Sequence, residues 1–262
     1  MELFKAIMLT LASLFIVFVI TSIFYLFTAL SYGTLIIEYL LSQQIFLALW
    51  VSISSSTMVM LISLLFGVPT AWLLANKDFK HKGLLETLIV DVPHSFPPGV
   101  VGTTYLFMFQ ATSPIGTLLQ NLGISLINTF WAMILVKTFI SAPFLIGILT
   151  MRFRSLRETE LEVIAKSLGA SEFKTFYTIT LPLSKNTIVG GSARCWARAL
   201  GEVAGTIVFA GAIIPGITQT MPAIIVFEAQ TSLPASLTLA LILATISITI
   251  LIVFKILLER NQ

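Results

Sequence analysis

Arg194, Arg198 and Glu202 lie in a stretch of small and apolar residues, Gly190-Gly191-Ser-Ala-Arg194-Cys-Trp-Ala-Arg198-Ala-Leu-Gly201-Glu202-Val-Ala-Gly205-Thr206. On a helix, Arg198 and Glu202 share a face and can pair, with Arg194 one turn earlier. A charge deep in a bilayer costs at least about 2.5–3.5 kcal/mol on insertion scales, so such residues face a bundle interior or an aqueous cavity. Two roles fit. The three residues border the pathway of an anion, or they form a structural pair that fixes helix contacts. The glycines and alanines around them suit a helix near the bundle centre or at a subunit interface.

Lys137 stands in another apolar stretch. A carboxylate partner within the bundle, with Asp91 the candidate, or snorkelling explains it as well as a substrate contact does. His94 and His81 have no second ligand at metal spacing, so no metal site is expected. Cys195 is the single cysteine, which excludes an intrachain disulfide and a thiolate cluster. The sequence has no Gly-x-x-x-x-Gly-Lys-[Ser/Thr] phosphate loop, no His-Glu-x-x-His and no Gly-x-Ser-x-Gly. No catalytic residue and no cofactor are expected, and the energy for any pumping must come from another subunit.

The elements that hold these residues follow from composition. Of 262 residues 57% are hydrophobic and 10% are charged, whereas soluble domains run about 45–50% apolar and about 25% charged. The mean hydropathy is +1.00. The chain therefore reads as all-α and polytopic, with the lipid bilayer as its solvent. Six spans are expected, roughly over 5–30, 44–75, 84–110, 128–150, 184–212 and 235–258, each long enough for about 30 Å of hydrocarbon. The first is too long for a signal-peptide core and reads as an uncleaved span. One domain over 1–262 is the simplest division.

Orientation follows from the bases. Lys5, then Lys77, Lys80 and Lys82, then Arg152, Arg154, Arg157, Lys166, Lys174 and Lys185, then Lys255 and Arg260, all fall on one side of a six-span chain. The other connections, 31–43, 111–127 and 213–234, hold none. Both termini and the charged loop are expected in the cytoplasm. The net charge of +3 sits at membrane ends and implies no nucleic-acid partner.

Two features interrupt the spans. Asp91-Val-Pro93-His94-Ser-Phe-Pro97-Pro98-Gly99-Val-Val-Gly102 cannot be a regular helix. Broken backbone in a membrane is tolerated where protein or a water-filled cavity satisfies it, so Pro97 and Pro98 line a pathway or mark a packing kink. The outer connections, around Ser113-Pro-Ile-Gly116 and Pro215-Gly216, suit either a docking surface for an external partner or plain turns with interfacial helices.

Between spans four and five lies a polar, amphipathic stretch, about 152–184. Leu156, Leu161, Ile164, Ala165 and Leu168 recur at helical spacing, and Gly169 stops that helix. Pro182 ends a second short helix or opens the next segment. This stretch resembles the cytoplasmic coupling loop of ABC-importer permeases. That family carries Glu-Ala-Ala, three residues, a glycine, nine residues, then Ile-x-Leu-Pro. Here Gly169 is followed by Ala170 to Thr178, then Ile179-Thr-Leu181-Pro182. The triplet positions are Val163, Ile164 and Ala165, and the glutamate is displaced by one to Glu162.

The resemblance narrows at Ala197-Arg198-Ala-Leu-Gly201-Glu202, which is similar to a stretch of the molybdate, tungstate and sulfate permeases. Phe209-Ala-Gly211, Pro215-Gly216, Thr218-Gln-Thr-Met-Pro222 and the Pro97-Pro98 stretch also look like that subfamily. The resemblance covers about 85–230. It implies a type I ABC importer permease fold and a homodimer, with an ABC ATPase docked on each loop and an extracytoplasmic oxyanion-binding protein outside. Molybdate or tungstate is preferred as cargo over sulfate or thiosulfate. A stand-alone ion-driven carrier or channel using Asp91, Lys137, Arg198 and Glu202 is the rival from another class. A membrane-embedded enzyme lacks any motif to support it.

Overall fold

Apolar helices alternate with short polar breaks along the whole chain, and the computed structural model describes residues 2–259. In chain order the helices are α1 (Glu2–Leu26), α2 (Gly33–Leu41), α3 (Gln43–Asn76), α4 (Lys82–Glu86), α5 (Val92–Ser95), α6 (Pro98–Phe109), α7 (Pro114–Asn121), α8 (Phe130–Glu158), α9 (Leu161–Ser167), α10 (Glu172–Thr175), α11 (Leu181–Leu200), α12 (Ala204–Ala210), α13 (Met221–Glu228) and α14 (Leu233–Glu259). Among the described residues there is no strand, so the all-α reading holds. Arg260, placed above at the end of the chain, lies outside the described residues.

Four runs are long and apolar enough to cross a membrane: Phe4–Leu41, Gln43–Asn76, Phe130–Glu158 and Leu233–Ile256. These correspond to expected spans one, two, four and six. Expected spans three and five are divided. The 84–110 stretch contains α4, a π-helical turn over Thr87–Asp91, α5 and α6. It breaks at Phe96 and Pro97, whose ψ angles of 125° and 132° are extended, because Pro97 and Pro98 cannot donate to a continuing ladder. The 184–212 stretch is α11 and α12, separated at Gly201–Val203.

The core is the long contact of α3 with α8, which run parallel (Ser55 meets Lys137, Gly67 meets Ile146 and Ala75 meets Arg157), and α11 lies against both. Leu74, Leu145, Leu149, Phe153, Cys195 and Ala199 are fully buried there, and Cys195 packs as expected. A second cluster joins α3, α6, α8 and α12 through Val51, Val101, Met133, Val136 and Phe209. Phe209 sits between Tyr105 and Phe109, with centroids 5.7 and 5.6 Å away. A third joins α3, α13 and α14 through Ala48, Met221 and Leu239. α1 stands apart, with residues from Phe4 through Phe24 all exposed. Such a helix, apolar on every side, is stable only in lipid or against another chain.

Two π-helical turns precede prolines. Val92 N–H reaches back five residues to the Thr87 carbonyl, and Leu181 N–H reaches the Phe176 carbonyl. Pro93 and Pro182 follow at once. A proline clashes with the carbonyl four residues earlier, and widening the turn by one residue removes that clash. The helix thus runs unbroken from Glu172 through Leu200, and Pro182 opens a segment rather than closing one.

Candidate functional site

The stretch expected to couple to a partner is built on a turn and a clamp. α8 runs past its apolar part to Glu158, so Arg152, Arg154 and Arg157 belong to its end and not to a loop. The chain reverses at Thr159 and Glu160, the latter with a φ of 59°, and α9 follows. α9 closes as a Schellman turn. Ala170 N–H bonds the Ala165 carbonyl at 3.0 Å and Gly169 N–H bonds the Lys166 carbonyl at 3.0 Å. Gly169 has a φ of 87°, the left-handed conformation that glycine adopts without a Cβ penalty.

Glu162 is buried, and its carboxylate accepts from the Thr180 hydroxyl at 2.5 Å. That contact ties α9 to the base of α11, so the displaced glutamate has a structural task. Ile179 and Leu181 are half-buried, and Pro182 is exposed. Thr175 and Thr180 face inward. The outward face of the loop is apolar instead. Val163 is 57% exposed, Ile164 54%, Leu168 83% and Phe173 72%, while Ala165 and Ala170 are half-buried. Among the described residues nothing covers that face.

Ion pairs hold the loop. Lys77 pairs with Glu172 at 2.8 Å, Arg157 with Asp78 at 3.0 Å and Arg154 with Glu86 at 2.9 Å. Arg152 donates to the Leu183 carbonyl at 2.6 Å. The hydrogen bond from Lys77 holds the Glu172 carboxyl below its usual range, and the one from Arg157 does the same for Asp78. A depressed carboxyl pKa gives stability that is present above the unfolded value of about 4 and lost as pH falls through the folded one. The clamp is therefore expected to persist from neutral pH into mild acid and to open below it. A spin label at Ser167 should stay immobile down to about pH 4 and gain mobility beneath it; equal mobility at neutral and acid pH would refute the clamp.

The second group of candidate residues meets at the divided helix. α11 ends at Gly201, and the Arg198–Glu202 pair expected from spacing does not form among the described residues. The pairing assumed one continuous helix. Instead Glu202 is 1% exposed and turns back onto the start of α12. Its carboxylate accepts from Gly205 N–H at 2.8 Å, from Thr206 N–H at 3.1 Å and from the Thr206 hydroxyl. The two N–H groups are orphan donors of a helix start, which an anion satisfies.

α12 crosses α6 almost backbone to backbone. A Cβ on Gly205 would sit 2.6 Å from the Pro98 carbonyl oxygen, and one on Gly102 would sit 2.6 Å from the Gly205 oxygen. The fold thus brings the Pro97-Pro98 break and Glu202 together. On its other side α6 borders an open cleft of about 650 Å³ lined by Pro97, Gly99, Val100, Thr103, Thr104 and Phe107.

Arg194 and Arg198 point elsewhere. Arg194 is exposed and Arg198 half-buried, on the less buried stripe of α11 with Asn186, Gly190, Ala197 and Gly201. The opposite face of α11, through Gly191, Cys195 and Ala199, is in the core.

Lys137 is fully buried and donates to Ser55 Oγ at 2.9 Å. The acid whose charge bears on it is Glu202. Asp91 is exposed and forms no ion pair with it, because it belongs to the π-helical turn beyond the core. His94 packs edge-on against Phe144 at 4.3 Å, and no group of residues suited to a metal exists among the described residues. The serine that receives Lys137 stands in Ser52-Ile-Ser54-Ser55-Ser56-Thr57, a polar run within an apolar span.

Residues 67–261 match the binding-protein-dependent transport system inner membrane component family. The chain belongs to that family. The permease is 32% identical over 247 residues to the molybdate/tungstate transport system permease protein WtpB of Pyrococcus abyssi (strain GE5 / Orsay), covering 94% of this chain and 92% of that one. It is 34% identical over 176 residues to the molybdenum transport system permease protein ModB of Escherichia coli (strain K12), covering 67% and 76%. In structure it is similar to a chain of a bacterial alginate ABC transporter in complex with a pentasaccharide-bound periplasmic protein. There the TM-score is 0.68 at 18% identity, with 96% and 92% covered. A chain of the MetNI methionine ABC transporter in an inward-facing form gives 0.62 at 16%, with 85% and 100% covered. The fold is that of an ABC-importer permease, and the protein is a multi-pass component of the cell membrane.

Proposed function

We propose that this permease is the membrane subunit of an ATP-driven importer for a tetrahedral oxyanion, molybdate or tungstate. The substrate rests on one observation, the similarity to a molybdate/tungstate permease along 94% of the chain. Coupling is supported by geometry. The exposed apolar face of α9, set by the Gly169 turn and the Glu162–Thr180 bond, suits the groove of an ATPase. Glu162, Val163, Ile164, Ala165, Gly169, Ala170, Ile179, Leu181 and Pro182 form or support that contact. The chain does no covalent chemistry itself. Its basic end faces the cytoplasm, consistent with the distribution of Lys and Arg.

Two identical chains enclose the pathway. Closure of two ATPases draws the two α9 helices together, and the continuous helix from Glu172 through Leu200 carries the motion inward as a rigid body. Arg194 and Arg198 on its less buried stripe, with the Pro97-Pro98 break, border the route of the dianion. An extracytoplasmic binding protein delivers the oxyanion to the opposite end.

The test is ATP hydrolysis by the purified complex of this chain with its ATPase in proteoliposomes, with binding protein added. Molybdate- or tungstate-loaded binding protein should stimulate hydrolysis and uptake, and sulfate should do so less. Equal stimulation by sulfate would overturn the substrate, and a folded chain that retains no ATPase would overturn the coupling.

A further inference from the structure

We infer that Glu202 and Lys137 form a buried, charge-balanced pin that positions the divided helix, and that neither touches the transported anion. Glu202 is 1% exposed and Lys137 is 0% exposed. Three donors of α12 saturate the carboxylate on one side. Ser55 receives the ammonium. The two groups are not in direct contact among the described residues, and Glu202 acts on Lys137 through space. An apolar interior strengthens that attraction and makes either charge costly when alone.

The surroundings show what the pin holds. Val136, beside Lys137, lies where a Gly205 Cβ would meet its Cγ1 at 2.6 Å. Gly205 in turn presses on the Pro98 carbonyl. Glu202 therefore fixes the first turn of α12 where α12 crosses α6 and α8. The serines extend the network. Ser55 Oγ donates to the Ser52 carbonyl at 3.2 Å, and Ser52 Oγ accepts from Met221 N–H at 2.9 Å, the first residue of α13. One chain of bonds thus links α13, α3 and α8, and Glu202 joins α12 to it by charge. The outer half of the bundle is held as a unit, with the Pro97-Pro98 break on its edge. Arg194 and Arg198 face away from this network and remain the groups open to an anion.

A positioning pair and a pathway residue differ in how neutralisation behaves. Glu202→Gln leaves Lys137 uncompensated, and Lys137→Met leaves Glu202 with only the α12 donors. Each single variant should lower the maximal uptake rate at least about tenfold, as expected for removing one partner of a buried pair, with KM for loaded binding protein unchanged. The Lys137→Met/Glu202→Gln double variant restores neutrality and should recover to within about threefold of the parent. Uptake depends on the importer reading above. Thermal unfolding of the detergent-purified chain does not, and it should show the same order: both singles low, the double near the parent. A parent that takes up no oxyanion while the unfolding order holds would sink the importer reading and leave the pin standing. A double variant no better than the worse single, in unfolding or in membrane insertion, would overturn the pin. So would a Glu202→Gln chain with altered KM and an unchanged maximal rate, which places Glu202 on the pathway.

Discussion

Gly205→Leu is expected to unfold well below the parent and to carry no substrate. The site has no freedom to absorb a side chain. An added Cβ meets the Pro98 carbonyl oxygen and Val136 Cγ1, each at 2.6 Å, and the first is backbone anchored by a proline. Either α12 lifts off α6, which breaks the three bonds to Glu202, or the Pro97-Pro98 break shifts. Overpacking of this kind costs about 1–3 kcal/mol and more where backbone must move, which for a chain of this size lowers the unfolding temperature by about 2–12 °C or more. Gly102→Leu, from the facing helix, should do the same. Gly83→Ala is the control, since nothing lies within 4 Å of a Cβ there. Thermal unfolding and uptake of the three variants decide the matter. A Gly205→Leu chain as stable as Gly83→Ala would show that the α6–α12 contact is loose.

The particulars of this contact also mark how far the sequence could be read. Hydropathy placed the continuous helices α3, α8 and α14, because their apolar runs exceed the length a bilayer needs. The coupling turn was legible for a local reason. A glycine just past an amphipathic helix requires no tertiary knowledge, and Gly169 sits in the left-handed region as that pattern demands. The charges were legible as costly but not as placed. Spacing of four assigned Glu202 to Arg198, and the assignment failed because Gly201 ends the helix between them. Glu202 spends its charge on the following turn instead. Lys137 had to find a partner among distant segments, and local periodicity says nothing of those. Hence Asp91 was the expected partner, whereas the ammonium bonds the Ser55 hydroxyl. The same blindness applies to Gly102 and Gly205. Each reads as a small residue on an apolar helix, and only the crossing of α6 with α12 shows that both must lack a side chain.

Leu168→Asp is expected to abolish assembly with the ATPase while leaving the chain folded. Leu168 is 83% exposed at the end of α9 and touches no core cluster. A charge there meets water in the isolated chain, and its unfolding temperature should match the parent. In an assembled importer the same charge is buried in an apolar contact without a partner, and truncating or reversing such a central contact commonly costs about 2 kcal/mol or more of binding. The ATPase should then be lost on purification and uptake with it. Gly169 separates two further requirements. Gly169→Asp should insert normally yet fail to couple, since an aspartate adds bulk and charge at the turn. Asparagine tolerates the left-handed conformation, so Gly169→Asn keeps the turn, and among the described residues nothing lies within 4 Å of its Cβ. If Gly169→Asn couples as the parent does, the glycine serves the turn alone. If it loses the ATPase while unfolding like the parent, the partner's surface must come close enough to exclude any side chain at that position. A Leu168→Asp chain that copurifies with a fully active ATPase would remove the α9 face from the interface altogether.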